Sequence, residues 1–298
     1  MVGTKAREDA GPTVRGSSTP GVSRMGRLGR WILLSLPLIT LVLWTLIPFL
    51  VTISVSFKTK GETFANYNLI PENPTIQAYQ QVLADPNFRS AFWNSVIVGF
   101  GTALLTILLA VPAAYAFARF RFRGRHLLLL LVLLPRLVPS LGTMVPLYRL
   151  AAATGQLDKL TTLIFVYTGT LLPLAVWLLV GFIQQIPRDI EEAASVDGAT
   201  LWARLRSVVL PLAAPATITI AALAFREAWN EFTLALVLTS SPGHRTLPFE
   251  LFMLQTGQGI ANFPAEAAFA LLTVLPFLLL YNRIERYMVA GLVAGSSK

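Results

Sequence analysis

Six long apolar runs divide the chain, and shorter polar stretches separate them. The runs are residues 31–55, 93–118, 127–148, 161–186, 212–240 and 267–282, and the last can be extended back to Phe263. A helix needs about 20 apolar residues to cross the roughly 30 Å hydrocarbon core of a bilayer, whereas strands are much shorter. The pattern therefore predicts an all-α, polytopic membrane protein with six transmembrane helices.

Composition narrows the classes of function. Of the 298 residues, 54% are hydrophobic and only 13% are charged, which is too apolar for an ordinary soluble protein. The net charge of +9 does not indicate nucleic-acid binding, because the basic residues lie between the apolar runs and not on one polar domain. Cysteine is absent, and the two histidines, His126 and His244, lie far apart in the sequence. We therefore expect no disulfide, no thiol chemistry and no metal site.

Lysine and arginine are unevenly divided between the two sides of the predicted membrane domain. Sixteen lie in the N-terminal stretch, the second-to-third loop, the fourth-to-fifth loop and the C-terminal tail, and six lie in the other loops. Cytoplasmic loops carry an excess of these residues, and an even number of spans puts both termini on one face. We predict a multi-pass protein of the cell membrane with both termini in the cytoplasm. Residues 1–30 are predicted to be a flexible cytoplasmic tail, and residues 31–298 the six-helix domain.

The fourth-to-fifth loop, residues 187–211, has the pattern of two helices joined by a turn. Pro187 suits the first turn of a helix, and the acidic residues that follow complement the positive end of its dipole. Gly198 can take the left-handed conformation that ends a helix, and Thr200 can cap the next one. One face of that second helix would carry Trp202, Leu205 and Val209.

Part of this loop resembles the EAA loop of permease subunits of binding-protein-dependent ABC importers. The matching residues are Glu192-Ala193-Ala194, Gly198 and Leu210-Pro211. In that family the loop is a coupling helix that fits a cleft on the ATPase subunit. The resemblance implies a coupling role for Glu191, Glu192, Ala193, Ala194, Asp197, Gly198, Leu210 and Pro211. Composition alone is also compatible with a solvated hairpin that only joins two spans.

Residues 33–295 resemble the maltose-type carbohydrate branch of the same family. The motifs are Trp93-Asn94-Ser95, 114–119, Pro146-Leu147-Tyr148, Trp229-Asn230-Glu231-Phe232 and 291–295. The resemblance implies a second permease subunit, two ATPase subunits that bind ATP and Mg, and an extracytoplasmic solute-binding protein. It also implies that Gly257, Gln258 and Gly259 contact the binding protein, although these residues could equally form an ordinary outer loop.

The chain itself contains no Gly-x-x-x-x-Gly-Lys-[Ser/Thr] loop to hold the phosphates of ATP. It also has no recognisable hydrolase motif. We therefore expect no cofactor on this chain, no catalytic residue and no enzyme activity of its own.

Four charged residues fall inside the apolar runs, namely Arg136, Arg226, Glu227 and Glu231. Each costs about 2.5–3.5 kcal/mol near the bilayer centre unless it is paired or faces water. On the fifth span, helical spacing puts Arg226, Trp229, Asn230 and Thr233 on one stripe, with Glu231 on the neighbouring one. We predict that these residues border a translocation cavity and recognise sugar hydroxyls. The alternative is an ion pair, such as Arg136 with Glu227 or Glu231, that fastens the third span to the fifth.

Three functions remain open on the sequence alone. The favoured one is uptake of a sugar or oligosaccharide, driven by ATP hydrolysis on partner subunits. An ABC importer of another solute, such as glycerol phosphate, fits the same motifs. A stand-alone ion-coupled transporter would use the charged residues inside the spans as a proton relay, but inverted repeats are not evident.

Overall fold

The computed structural model describes residues 27–257 and 261–278, and these residues are helical with short connections. The helices are α1 (Arg27–Ser56), α2 (Lys60–Ala65), α3 (Gln77–Ala84), α4 (Pro86–Arg119), α5 (Arg125–Leu133), α6 (Ser140–Ala153), α7 (Leu160–Gln185), α8 (Arg188–Val196), α9 (Leu201–Arg204), α10 (Leu210–Leu212), α11 (Ala214–Asn230), α12 (Thr233–Leu238), α13 (Leu247–Gly257) and α14 (Phe263–Leu278). Short 3₁₀ turns occur at Leu134–Leu137 and Pro242–His244, and a π-helical segment at Leu205–Val209. No strand occurs in this described part of the chain, so the all-α prediction is confirmed there.

Within the described residues, three helices are each long and apolar enough to cross a membrane. They are residues Ser35–Ser56 of α1, all of α4 and all of α7, and they match the predicted first, second and fourth spans. The predicted tail, residues 1–30, lies outside the described residues as far as residue 26. Its last four residues already belong to α1, which begins at Arg27.

The predicted third span is a bent pair of helices. Arg125–Leu137 and Leu141–Ala153 meet at an angle of 95°. Pro135 and Pro139 lie at the bend, and proline cannot donate the backbone hydrogen bond that would continue a helix. The chain at the level of Arg136 is therefore a 3₁₀ turn and not regular α-helix.

The predicted fifth span, residues 212–240, is divided at Glu231, because α11 ends at Asn230 and Glu231 has extended backbone with ψ 124° before α12 begins. A bend of 80° between Leu201–Leu212 and α11 lies at the start of that span. The predicted sixth span corresponds to α14, a shorter apolar helix that begins at Phe263, the earlier of the two predicted starts. Residues 279–282 of that prediction lie outside the described part. By length and composition, residues 27–257 and 261–278 contain up to five spans if each bent pair counts as one, so the count of six stays a prediction.

Small residues let the central helices approach closely. Ala110, Ala114 and Ala118 recur every four residues on α4 and are buried in one cluster with Leu179 and Ile183 of α7. The face of α4 toward α11 is equally tight. A Cβ atom added to Gly99 would lie 2.7 Å from the Phe225 ring, so only glycine fits there. These contacts make α4, α7 and α11 the core of the described fold.

At the end of the bundle where α4 begins, polar side chains hold the loop before α13. The side-chain amide of Asn94 donates to the carbonyl oxygens of Gly243 at 2.8 Å and Arg245 at 2.9 Å. The backbone N–H of Leu247 donates to the Ser95 hydroxyl at 2.8 Å. The Asn94-Ser95 pair of the second-span motif therefore has a structural role, because it satisfies buried backbone groups of a distant loop.

Candidate functional site

The predicted helix–turn–helix is present in residues 187–211, and we call this segment the hairpin. Its first helix is α8, and α9, the π-helical segment and the start of α10 form its second helix. The first helix, α8, starts directly after Pro187, and Gly198 beyond its end has a left-handed φ of +86°. The N–H of Gly198 donates to the carbonyl of Ser195 at 3.1 Å, and that of Ala199 to the carbonyl of Ala194 at 2.9 Å. This pair of bonds is a Schellman motif, which satisfies the last carbonyls of a helix.

The second helix starts at the predicted cap. The hydroxyl of Thr200 accepts from the N–H of Ala203 at 3.3 Å, in the usual geometry of an N-cap. Leu205 and Val209 are buried against α4 and α7. Trp202, from the same predicted face, is 66% exposed. Periodicity assigns residues to a helix face, but it does not show how far along that face the neighbouring helices extend.

Most of the predicted coupling residues lie on the outside of this hairpin. The exposed ones are Glu192, Ala193, Asp197, Gly198 and Pro211, and the half-buried ones are Ala194 and Leu210. Val196 between them is 87% exposed, although it is apolar. Together with Trp202, it gives the hairpin tip an uncovered hydrophobic surface beside carboxylates.

Glu191, another of the predicted coupling residues, does not share this exposed surface. Its side chain is turned inward and buried. One carboxylate oxygen pairs with Nε of Arg119 at 2.6 Å, and the other accepts from the hydroxyl of Tyr115 at 2.8 Å. The Arg119 guanidinium also donates from Nη2 to the carbonyl of Ile186 at 2.9 Å. Glu191 therefore joins α8 to the end of α4.

The predicted stripe of the fifth span is not one face in the structure. Arg226 and Asn230 are exposed on α11, and Arg226 pairs with Glu227 at 2.6 Å. Trp229, by contrast, is only 3% exposed and stacks on the buried Phe225 ring with centroids 5.3 Å apart. Trp229 is therefore a core residue, and its assignment to a cavity wall is corrected.

The predicted set of residues is also interrupted, because α11 ends at Asn230, before Glu231 and Thr233. The carboxylate of Glu231 accepts from the backbone N–H groups of Leu234 and Ala235, at 2.9 and 3.2 Å, and so caps α12. It also accepts from the hydroxyl of Tyr167 at 2.7 Å. Thr233 belongs to α12 and not to α11. Glu231 thus ties the fifth span to the fourth.

The proposed ion pair between the third and fifth spans is not formed. Arg136 instead donates from Nη1 to the backbone carbonyl of Thr170 on α7, at 3.2 Å. Glu227 and Glu231 have the partners given above.

A cavity lies between the bend of the third span and α7, where sequence reasoning had placed none. Its volume is about 900 Å³. It is lined by Pro135, Arg136, Val138, Pro139, Gly142, Thr143, Pro146, Leu147, Phe165, Val166, Gly169 and Thr170. The prolines and glycines in two apolar runs are the sequence feature that could have indicated this cavity. Such residues interrupt regular helices, and interrupted helices do not pack along their whole length.

The predicted binding-protein contact is only partly described. Gly257 is the exposed last residue of α13, whereas Gln258 and Gly259 lie outside the described residues.

Beyond the spans, Asp158 organises the loop between α12 and α13. Its backbone is left-handed, with φ +58°. One carboxylate oxygen accepts from the N–H groups of Ser240 and Ser241, at 2.9 and 3.1 Å. Burial by itself would raise the pKa of Asp158, but these hydrogen bonds favour the ionised carboxylate and hold its pKa well below the usual range.

Residues 106–293 match the family described as the binding-protein-dependent transport system inner membrane component. The sulfoquinovosyl glycerol transport system permease protein of Agrobacterium fabrum is 35% identical over 285 residues, covering 95% of this chain and 98% of that protein. The trehalose/maltose transport system permease protein of Thermococcus litoralis is 33% identical over 269 residues, covering 90% and 96%. The fold is similar to that in a crystal structure of a bacterial ABC transporter that imports the acidic polysaccharide alginate, with TM-score 0.80 and 22% identity over 91% of this chain and all of that one.

The helices define a multi-pass membrane protein. The matches over nearly the whole chain define the family. This chain belongs to the binding-protein-dependent transport system inner membrane components, the permeases of ABC importers.

Proposed function

We propose that this chain is one of two permease subunits of an ABC importer for a sugar or oligosaccharide. An extracytoplasmic binding protein delivers the solute, and two partner subunits hydrolyse ATP with Mg. The match to carbohydrate permeases over nearly the full length carries this proposal. The absence of a phosphate-binding loop from the sequence agrees with an ATPase on other chains.

The hairpin tip is the proposed ATPase-docking surface. Val196 and Trp202 supply exposed apolar area, and Glu192 and Asp197 supply negative charge beside it. A partner cleft with an apolar floor and basic rim is complementary to that combination. The excess of Lys and Arg in the connected loops supports a cytoplasmic position for this end, with both termini on the same side.

The cavity beside α7 is the proposed solute path, in place of the stripe around Trp229. It offers Thr143 and Thr170 hydroxyls, the Arg136 guanidinium and the Phe165 ring within one volume of about 900 Å³. Sugars are bound by such combinations, because hydroxyls need hydrogen-bond partners and the faces of the rings pack on apolar groups. The second permease would close the open side of this path.

The partners of the charged residues in the fifth span argue against the alternative function, a stand-alone ion-coupled transporter. A proton relay needs a chain of ionisable groups that reach one another across the membrane. Glu231 instead caps α12, and Arg226 and Glu227 pair locally on an exposed face.

Reconstitution tests the proposal. Proteoliposomes would contain this chain with a second permease and the ATPase subunits, ATP inside, and the binding protein with radiolabelled oligosaccharide outside. We expect uptake that stops without ATP or without the ATPase subunits. Accumulation by this chain alone, driven by a proton or sodium gradient, would refute the assignment.

A pair of variants on α7 tests the solute path in the same system. Phe165→Ala removes a ring from the cavity wall and should raise the KM for uptake several-fold. Trp177→Ala is the matched control, because Trp177 is an exposed aromatic residue on the same helix that does not line the cavity. Equal KM values for both variants and the wild type would show that the solute does not pass through this cavity.

A further inference from the structure

We infer that Arg119 and Tyr115 are positioning residues that lock the coupling hairpin to α4, so that the hairpin and this helix move together during transport. The inference rests on the proposed function and assigns a role to residues that the coupling motif itself does not include. We use the term lock for the contacts among Tyr115, Arg119, Ile186 and Glu191.

The lock spans the break between α7 and α8. Arg119 donates to the carbonyl of Ile186 at 2.9 Å on one side of Pro187, and it pairs with Glu191 at 2.6 Å on the other side. A single guanidinium thereby fixes the angle at which α8 leaves α7. Its rigid, planar set of donors suits two acceptors in fixed directions, which a lysine ammonium would not hold equally well.

Tyr115 completes the lock one turn earlier on α4. Its hydroxyl donates to the second oxygen of Glu191 at 2.8 Å, so both carboxylate oxygens are engaged. The side chains of Arg119 and Glu191 are only 9% and 7% exposed. In such surroundings the loss of one partner leaves a buried, uncompensated charge, and the arrangement therefore opposes separation of α8 from α4.

Apolar contacts link the second half of the hairpin to the same place. Leu205 and Val209 belong to the buried cluster that contains Tyr115 and Ala118. Both helices of the hairpin are therefore attached to the end of α4. Because α4 packs along α7, which forms one wall of the cavity, a displacement of the hairpin reaches that wall by direct contact. Coupling between distant sites needs such a contiguous set of contacts with two discrete arrangements.

The chain supplies a matched control pair. Arg226 and Glu227 also form an ion pair at 2.6 Å, but their side chains are 53% and 47% exposed. This pair lies on α11 and includes none of the residues of the lock. Substitutions there change the same residue types without affecting the hairpin.

Transport efficiency in the assembled importer is the main test. The variants are Glu191→Gln, Tyr115→Phe and the swap Arg119→Glu with Glu191→Arg, and the control is Arg149→Gln at an exposed position of α6. Complexes in lipid nanodiscs and proteoliposomes are compared for assembly, basal ATPase activity and solute moved per ATP hydrolysed. We expect Glu191→Gln to assemble and hydrolyse ATP but to move roughly two- to thirtyfold less solute per ATP. Tyr115→Phe should give a smaller loss in the same direction, and the swap should recover part of it.

A purely structural role would lower assembly or yield without changing the solute moved per ATP. Unchanged solute per ATP in assembled Glu191→Gln and Tyr115→Phe complexes would therefore overturn the inference. Tyr115→Phe keeps the ring, so it remains informative if Glu191→Gln does not assemble.

A distance measurement separates failure of the lock from failure of the proposed function. Because the chain has no cysteine, Val196→Cys on α8 and Leu108→Cys on α4 can carry two spin labels in the full chain without partners. We expect a narrow distance distribution that broadens with Glu191→Gln and stays narrow with Arg226→Gln. Equal widths in all three backgrounds would overturn the lock, whatever the transport assay shows. A different result would refute the proposed function. If the distance distribution broadens with Glu191→Gln as expected, but the chain assembles with no ATPase subunit, the lock exists without a coupling role.

Discussion

Replacing Gly198 should loosen the turn at the hairpin tip through the backbone alone. The residue has φ +86°, and a Cβ built on it would meet no atom within 4 Å. No neighbour therefore has to move, and the cost of a side chain is the cost of the left-handed conformation itself. For residues other than glycine that cost is about 1–2 kcal/mol, and β-branched residues are at the upper end.

The substitution should weaken the two hydrogen bonds of this turn. They run from the N–H groups of residues 198 and 199 to the carbonyls of Ser195 and Ala194. A loss of about 1–2 kcal/mol makes the open turn roughly 5- to 30-fold more populated. Gly198→Val should show the largest effect, Gly198→Ala less, and Gly198→Asn least, since asparagine tolerates this conformation best. In the assembled importer, Gly198→Val should also lose solute-stimulated ATPase activity while still inserting into the membrane.

Hydrogen exchange followed by mass spectrometry on the purified chain measures this opening at the hairpin. Gly181→Ala is the control, because Gly181 lies inside α7 with open space around its Cβ and no positive φ. Alanine there should stabilise the helix slightly. Hairpin amides that exchange at the wild-type rate in Gly198→Val, or full stimulated ATPase activity in that variant, would refute the reasoning.

Three further predictions concern stability in detergent. Gly99→Ala places a Cβ 2.7 Å from the buried Phe225 ring and should lower the free energy of unfolding by about 1–3 kcal/mol, measured by thermal denaturation. Asn94→Ala leaves two backbone carbonyls without their donor and should cost about 1–3 kcal/mol in the same assay. Asp158 has a lowered pKa, so its contribution is complete above the unfolded value of about 3.9 and declines as the pH falls below it. The stability gap between wild type and Asp158→Asn, measured from pH 7 to pH 3, should therefore stay constant above about pH 5 and narrow in acid.

Each of these has an outcome that would contradict it. A melting temperature of Gly99→Ala equal to that of Gly181→Ala would mean that α4 and α11 are not in close contact. An Asn94→Ala variant as stable as the wild type would remove the proposed anchor of the loop before α13. If the difference in stability between the wild type and Asp158→Asn increased in acid, its sign would be wrong for a carboxylate stabilised by hydrogen bonds.

Local signals in the sequence predicted the hairpin well. A proline before α8, a glycine after it and a threonine before α9 each act through their own backbone or nearest neighbours, so their effect can be read without the rest of the fold. The long apolar runs were equally informative, because span length depends only on the bilayer.

The errors arose where a side chain's role depends on distant residues. Glu191 reads as a dipole-complementing residue at a helix start, and its pairing with Arg119 requires knowing that α4 ends beside α8. Trp229 has helical spacing from Arg226, but its burial against Phe225 and Phe92 requires knowing how α11 packs on α4. The end of α11 before Glu231 was also not predictable, because neither glycine nor proline occurs there. In the sequence, Arg119 is one of several basic residues that the positive-inside rule explains, so nothing indicated its ion pair with Glu191.

The most direct test of the account is a cross-link from the hairpin tip. The cysteine-free chain allows Val196→Cys to be the only thiol on this subunit, and Tyr67→Cys, at a fully exposed position outside the hairpin, is the control. In membranes containing the whole importer, a thiol cross-linker at position 196 should capture the ATP-hydrolysing subunit, and one at position 67 should not. If position 196 never captures that subunit and instead reacts with a membrane-impermeant thiol reagent added outside intact cells, the hairpin is not the coupling element.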